Sequence, residues 1–101
     1  LISPSTADTK VPLFYTTSSI TLTNVYSVVT GTTPSVTFSL LYGTNLTTSG
    51  TTIVSITNNT TTSVTNTTSF TNATIPAGNY IWLDVTAATG VPQELGATLI
   101  Y

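Results

Sequence analysis

The chain offers few residues with which to do chemistry. Asp8, Asp84 and Glu94 are its only carboxylates and Lys10 is its only cation, and there is no His and no Cys in 101 residues. General acid–base work needs two titratable groups held together with their pKa values driven apart. Asp84 falls within a strand-like segment, Glu94 in a turn-rich one and Asp8 in a polar N-terminal stretch, so their spacing gives no reason for two of them to meet. With no His, Cys or Arg to complete a site, no catalytic residue is expected and the chain reads as a non-enzyme. A hard-cation site needs several oxygen ligands with carboxylates among them. No metal and no cofactor is therefore expected.

The remaining candidates are aromatic rings and amides. Tyr80, Trp82 and Asp84 alternate with Ile81, Leu83 and Val85, and alternation on a strand puts the first three on one face and the others toward a core. Rings beside a carboxylate can bind a cell-surface glycan, the rings stacking on the sugar and Asp84 accepting its hydroxyls. The favoured reading is packing, against the sheet edge or a neighbouring subunit, because aromatic side chains combine large area with a polar tip. Asn45, Asn58, Asn59, Asn66 and Asn72 each have Thr two places on, the acceptor pattern for N-glycosylation of an extracellular protein. A chain this rich in Asn and Thr also forms such triplets by chance, and turns favour Asn. The Thr-rich stretch from Thr52 to Thr71 suits an O-glycosylated or ice-facing surface, but it keeps no strict Thr-x-Thr register. It reads better as a solvated hairpin with a few apolar anchors.

Composition narrows the partners. A net charge of −2 with a single Lys and no Arg cannot build the basic patch that nucleic acid or an anionic membrane requires. Low net charge gives weak mutual repulsion, which suits a chain held in an assembly, with itself as the first expected partner. The content is 40% hydrophobic and 4% charged, a globular rather than a disordered balance. Mean hydropathy is positive, at +0.34, yet apolar runs such as Tyr80–Leu83 fall far short of the ~20 residues of a membrane span. Without Cys, the redox compartment is not specified. The chain starts at Leu1 without a signal-peptide pattern, and the expectation is a processed precursor or a piece of a longer polypeptide.

The elements that must position these residues are strands. Residues 1–10 read as an N-terminal arm or linker and residues 11–101 as a β-sandwich domain. Strand-like runs are Val11–Thr16, Ile20–Thr30, Ser35–Tyr42, Thr52–Thr57, Thr61–Asn66, Thr68–Ile75, Asn79–Thr86 and Leu95–Tyr101. Pro12 marks the first as an edge or strand start. In the second, Ile20 and Leu22 are out of phase with Val25 and Val29, which predicts a β-bulge at Asn24. Val64, Phe70 and Ile75 are the expected apolar anchors of the Thr-rich pieces. Turn signals at 31–34, 43–45, 49–50, 58–59, 76–78 and 90–93 separate the runs. About eight short antiparallel strands at roughly 8–12-residue spacing define an all-β sandwich or jelly-roll-like domain. Thr keeps an exposed face uncharged without losing strand propensity, so such faces can pack on identical neighbours without desolvating charge.

Two segments, Ser35–Val54 (SVTFSLLYGTNLTTSGTTIV) and Ser69–Tyr101 (SFTNATIPAGNYIWLDVTAATGVPQELGATLIY), with the Thr-rich hairpin between them, resemble small all-β domains of bacteriophage virion proteins. The matching positions are Phe70, Ala73 to Ala77, Trp82, Leu83, Gly90, Glu94, Leu95, Thr98, Leu99 and Tyr101. The resemblance covers about two-thirds of the chain, with a looser match over Val11–Val29, and it carries no catalytic motif. It implies a surface part of a virion, either a fibre or tail-appendage domain or a capsid decoration. Such a part would be a homo-oligomer, a trimer above all, in contact with other virion proteins and a candidate for host attachment. The alternative is a glycosylated extracellular filament, surface-layer or adhesin domain of an archaeon or bacterium, which the sequons and the scarcity of charge favour.

Overall fold

Two strands, β3 (Asn24–Gly43) and β7 (Asn79–Ile100), pair antiparallel along their whole length and organise everything else. The computed structural model describes residues 1–59 and 61–101. Its other strands are β1 (Val11–Thr16), β2 (Ile20–Thr21), β4 (Thr51–Asn58), β5 (Thr65–Thr67) and β6 (Thr74–Ile75), and no helix occurs among the described residues. The architecture is all-β with antiparallel pairing throughout.

A straight 20-residue strand would run to about 65 Å at ~3.3 Å per residue. β3 has 20 residues and β7 has 22, while the longest dimension of the molecule is 39 Å. The β3–β7 ribbon must therefore bend back on itself. Its register slips between Thr30 and Gly31 and again between Thr32 and Ser35, and the inward face changes parity there. Val25, Ser27 and Val29 are buried before the slip; Val36, Phe38 and Leu40 are buried after it. Gly90, at φ +71°, lies across from this slip, and a Cβ there would run into the Thr33 carbonyl. The bend thus needs glycine on one strand and extra residues on the other, which is what bulges supply.

Both flanks of the ribbon follow it around the bend. On the β3 side, β4 pairs with Val36–Tyr42 and β5 with Val25–Ser27. On the β7 side, β1 pairs with residues 79–83, and the N-terminal arm continues the same edge. The Asp8 carbonyl accepts from Val85 N, Ser3 N donates to the Gln93 carbonyl, and Leu1 and Leu95 exchange backbone bonds. The arm is thus docked along the β7 edge through Leu1, Ser3 and Asp8. The inner faces of both halves feed one core: Val25, Val29 and Leu95 from one, Phe38, Leu40, Ile53, Ile56, Ile81, Leu83 and Val85 from the other. Each such side chain contributes about 1.5–3 kcal/mol on burial.

Several expectations are corrected here. The eight short strands become seven among the described residues: the signals at 31–34 and 90–93 are the two sides of the bend, which joins two pairs of runs, while the Ile20–Thr30 run divides between β2 and β3. The parity change near Asn24 is a change of sheet and not a bulge. Ile20 and Thr21 pair with β6 in a separate two-stranded sheet, Leu22 N bonds the Ala73 carbonyl, and β3 starts at Asn24. Ile75 is fully buried and Phe70 packs against the core, but Val64 is exposed and anchors nothing.

Candidate functional site

The Asn79–Thr86 part of β7 alternates as expected, with Ile81, Leu83 and Val85 in the core. The opposite face is not an open platform, because Trp82 is fully buried. Its backbone pairs with Leu41 of β3 and Pro12 of β1, and the hairpin from Gly43 to Thr51 folds over its ring. A Cβ at Gly43 would stand 2.8 Å from indole Cη2, and one at Gly50, where φ is +76°, would overlap Cζ2. Glycine at these two places lets backbone lie directly on the indole. Nε1 has no hydrogen-bond partner among the described residues, a deficit of about 1–3 kcal/mol for a buried donor.

The only cation of the chain fastens this cover. Lys10 Nζ donates to the Leu46 carbonyl at 2.7 Å and the Thr48 carbonyl at 2.6 Å, both on the hairpin. It sits 5.7 Å from the Trp82 ring centroid, within cation–π reach. Lys10 N in turn donates to Asp84 Oδ1. Inside the hairpin, Asn45 Oδ1 accepts from Thr47 N at 3.0 Å and Thr48 Oγ1 donates to the Asn45 carbonyl at 3.0 Å. Trp82 therefore packs within its own chain and is no exposed platform for a sugar ring or a neighbouring subunit, and Asp84 accepts from a backbone N–H.

The exposed aromatic surface on this face lies one strand over. Tyr15 is 50% exposed and is the cross-strand partner of Tyr80, their ring centroids 4.8 Å apart in an edge-on arrangement. Tyr15 was legible only as part of an edge strand; its register against Tyr80 needed the structure. Beside the covering hairpin opens a surface cleft of about 330 Å³, bordered by the hairpin, Tyr42 and Asn79.

The carboxylates do not make a site. Asp8 Oδ2 accepts from Ser5 N at 2.8 Å, Asp84 is held by Lys10 N, and Glu94 is exposed on the other half, across from Thr30. Among the described residues no three or more metal-ligating side chains converge. The sequons separate by environment. Asn58 is 1% exposed and its Nδ2 donates to buried Ser27 Oγ at 3.0 Å, so it cannot take a glycan in the folded chain; its sequon partner Thr60 lies outside the described residues. Asn72 Nδ2 donates to the Thr52 carbonyl at 2.9 Å, and Asn66 Oδ1 accepts from Asn24 Nδ2. Asn45, Asn59, Asn66 and Asn72 are exposed.

Compared with known proteins, the chain matches no family model, no curated protein and no solved structure.

Proposed function

We propose that the chain is a non-enzymatic structural module of a virus particle. It would be a jelly-roll-like β-sandwich on a bacteriophage fibre, tail appendage or capsid decoration, assembled as a homotrimer with other virion proteins and contributing to host attachment. The observation that carries this reading is how the charged groups are used. Lys10, Asp8 and Asp84 are all engaged with backbone groups that fasten the arm and the covering hairpin, which leaves faces of Thr, Ser and Asn for contact with neighbours. The resemblance of Ser35–Val54 and Ser69–Tyr101 to virion domains supports the same reading.

A second reading, a glycosylated extracellular filament or adhesin domain, is favoured by one specific feature. Asn45 is exposed, and its Oδ1 accepts from both the N and the Oγ1 of sequon Thr47. Light scattering on a sizing column with intact-mass spectrometry separates the two. A particle of three times the 10.5 kDa chain mass, with no added mass, is the expected result. A monomer carrying glycan mass sinks the virion reading in favour of the second.

A further inference from the structure

We propose that the cleft beside the covering hairpin binds one unit of a neutral saccharide. This deepens the attachment part of the virion reading and rests on it only for the source of the sugar. The cleft measures about 330 Å³ and its walls come from Thr44, Thr48, Ser49 and Thr51, with Tyr42 and Asn79. That volume is at the low end of small-ligand sites, which run from about 300 to 1,000 Å³, so it fits a single sugar ring and not an extended chain.

The lining selects the ligand class. It contains no charged residue, and the one cation of the protein, Lys10, is already committed to the Leu46 and Thr48 carbonyls. A phosphate, a carboxylate or an ammonium would lose water there and gain no countercharge. A wholly apolar ligand would leave the surrounding Thr and Ser hydroxyls without partners. A neutral polyol satisfies both conditions, exchanging its hydrogen bonds to water for bonds to hydroxyls and backbone.

The Trp82 ring backs the same place. Gly43 and Gly50 also border the cleft, and the Cη2–Cζ2 edge of Trp82 lies directly against both. The indole N–H, two bonds from the Cζ2 that touches Gly50, is buried and without a partner among the described residues. The hairpin that forms the wall is already held by the Lys10 bonds and by the turn around Asn45, so little ordering remains to be done on binding.

Trp82 is the only tryptophan of the chain, and its indole N–H is a single, assignable reporter. The test is an amide and indole NMR titration of the intact chain with methyl α-glucoside, methyl α-galactoside and methyl N-acetyl-β-glucosaminide, with glucuronic acid as the charged comparison. Saturable shifts at the Trp82 indole and at residues 43–51 and 79 are expected with at least one neutral probe, in the millimolar range. Ser49→Tyr, on an exposed wall position, should weaken that binding at least about tenfold while Trp82 emission and the melting temperature stay as in the parent. Three results would overturn the proposal: no saturable shift with any neutral probe, binding of the sugar acid alone, or shifts centred on Tyr15 and Tyr80. None of these bears on the assembly, which is decided by the mass of the particle.

Discussion

Lys10 and Trp82 are the residues on which the outer face of the sheet depends, and each has a role its type alone would not suggest. A lysine in a charge-poor chain invites a reading as a solvated surface charge, yet here its ammonium joins two carbonyls of a hairpin 36 and 38 residues away. Replacing it with Met keeps the stem and removes the donors. Lys10→Met should cost about 1–3 kcal/mol and shift Trp82 emission to the red as the cover loosens; unchanged emission would refute the clamp. Truncating the indole itself creates a cavity under backbone that cannot follow it inward. Trp82→Ala should therefore cost about 3–5 kcal/mol, read as a lower denaturant midpoint at constant slope. A variant as stable as the parent would mean that the ring is not part of the core. Gly50→Ala places a methyl group on Cζ2 at a positive φ, and a loss of about 1–3 kcal/mol is expected in the same unfolding measurement.

At the scale of elements, the bend in the β3–β7 ribbon decides which sequence signals could be read correctly. Strand content was legible because Val36, Phe38 and Leu40 alternate with Thr37 and Ser39, and the inward set of Ile81, Leu83 and Val85 follows from its alternation with Tyr80, Trp82 and Asp84. Strand ends were not, because Gly and Pro at 31–34 and 90–93 punctuate a chain equally well at a loop and at a bulge; only pairing across the two segments distinguishes them. The burial of Trp82 was likewise invisible, since it requires Gly43, Gly50 and Lys10 to converge from two other parts of the chain. The bend itself makes a prediction. A Cβ at position 90 overlaps the Thr33 carbonyl, so Gly90→Ala must open the ribbon or break its pairing. A drop in melting temperature with faster amide exchange at Thr32–Val36 and Thr89–Val91 is expected. Local exchange unchanged from the parent would place the turning point elsewhere.

For the whole molecule, the consequence of so few charges is a fold and a contact surface that ions hardly touch. The accessible surface is 5185 Å² and carries a net charge of −2, so no charge pattern on it can steer or hold a partner by long-range attraction. The bonds that fasten the arm and hairpin run from ions to neutral backbone groups at contact distance, well inside a screening length of about 10 Å at 0.1 M salt. Self-association of such a chain must rest on hydroxyl, amide and apolar contact. Raising NaCl from about 0.05 M to about 0.5 M, which shortens the screening length roughly threefold, should then leave the unfolding free energy within about 0.5 kcal/mol, the scale of exposed ion pairs. The sedimentation coefficient of any oligomer should hold steady over the same range. Dissociation with rising salt would contradict this, because it requires an interface held by ions, and apart from exposed Glu94 the charged side chains already bond backbone groups of their own chain.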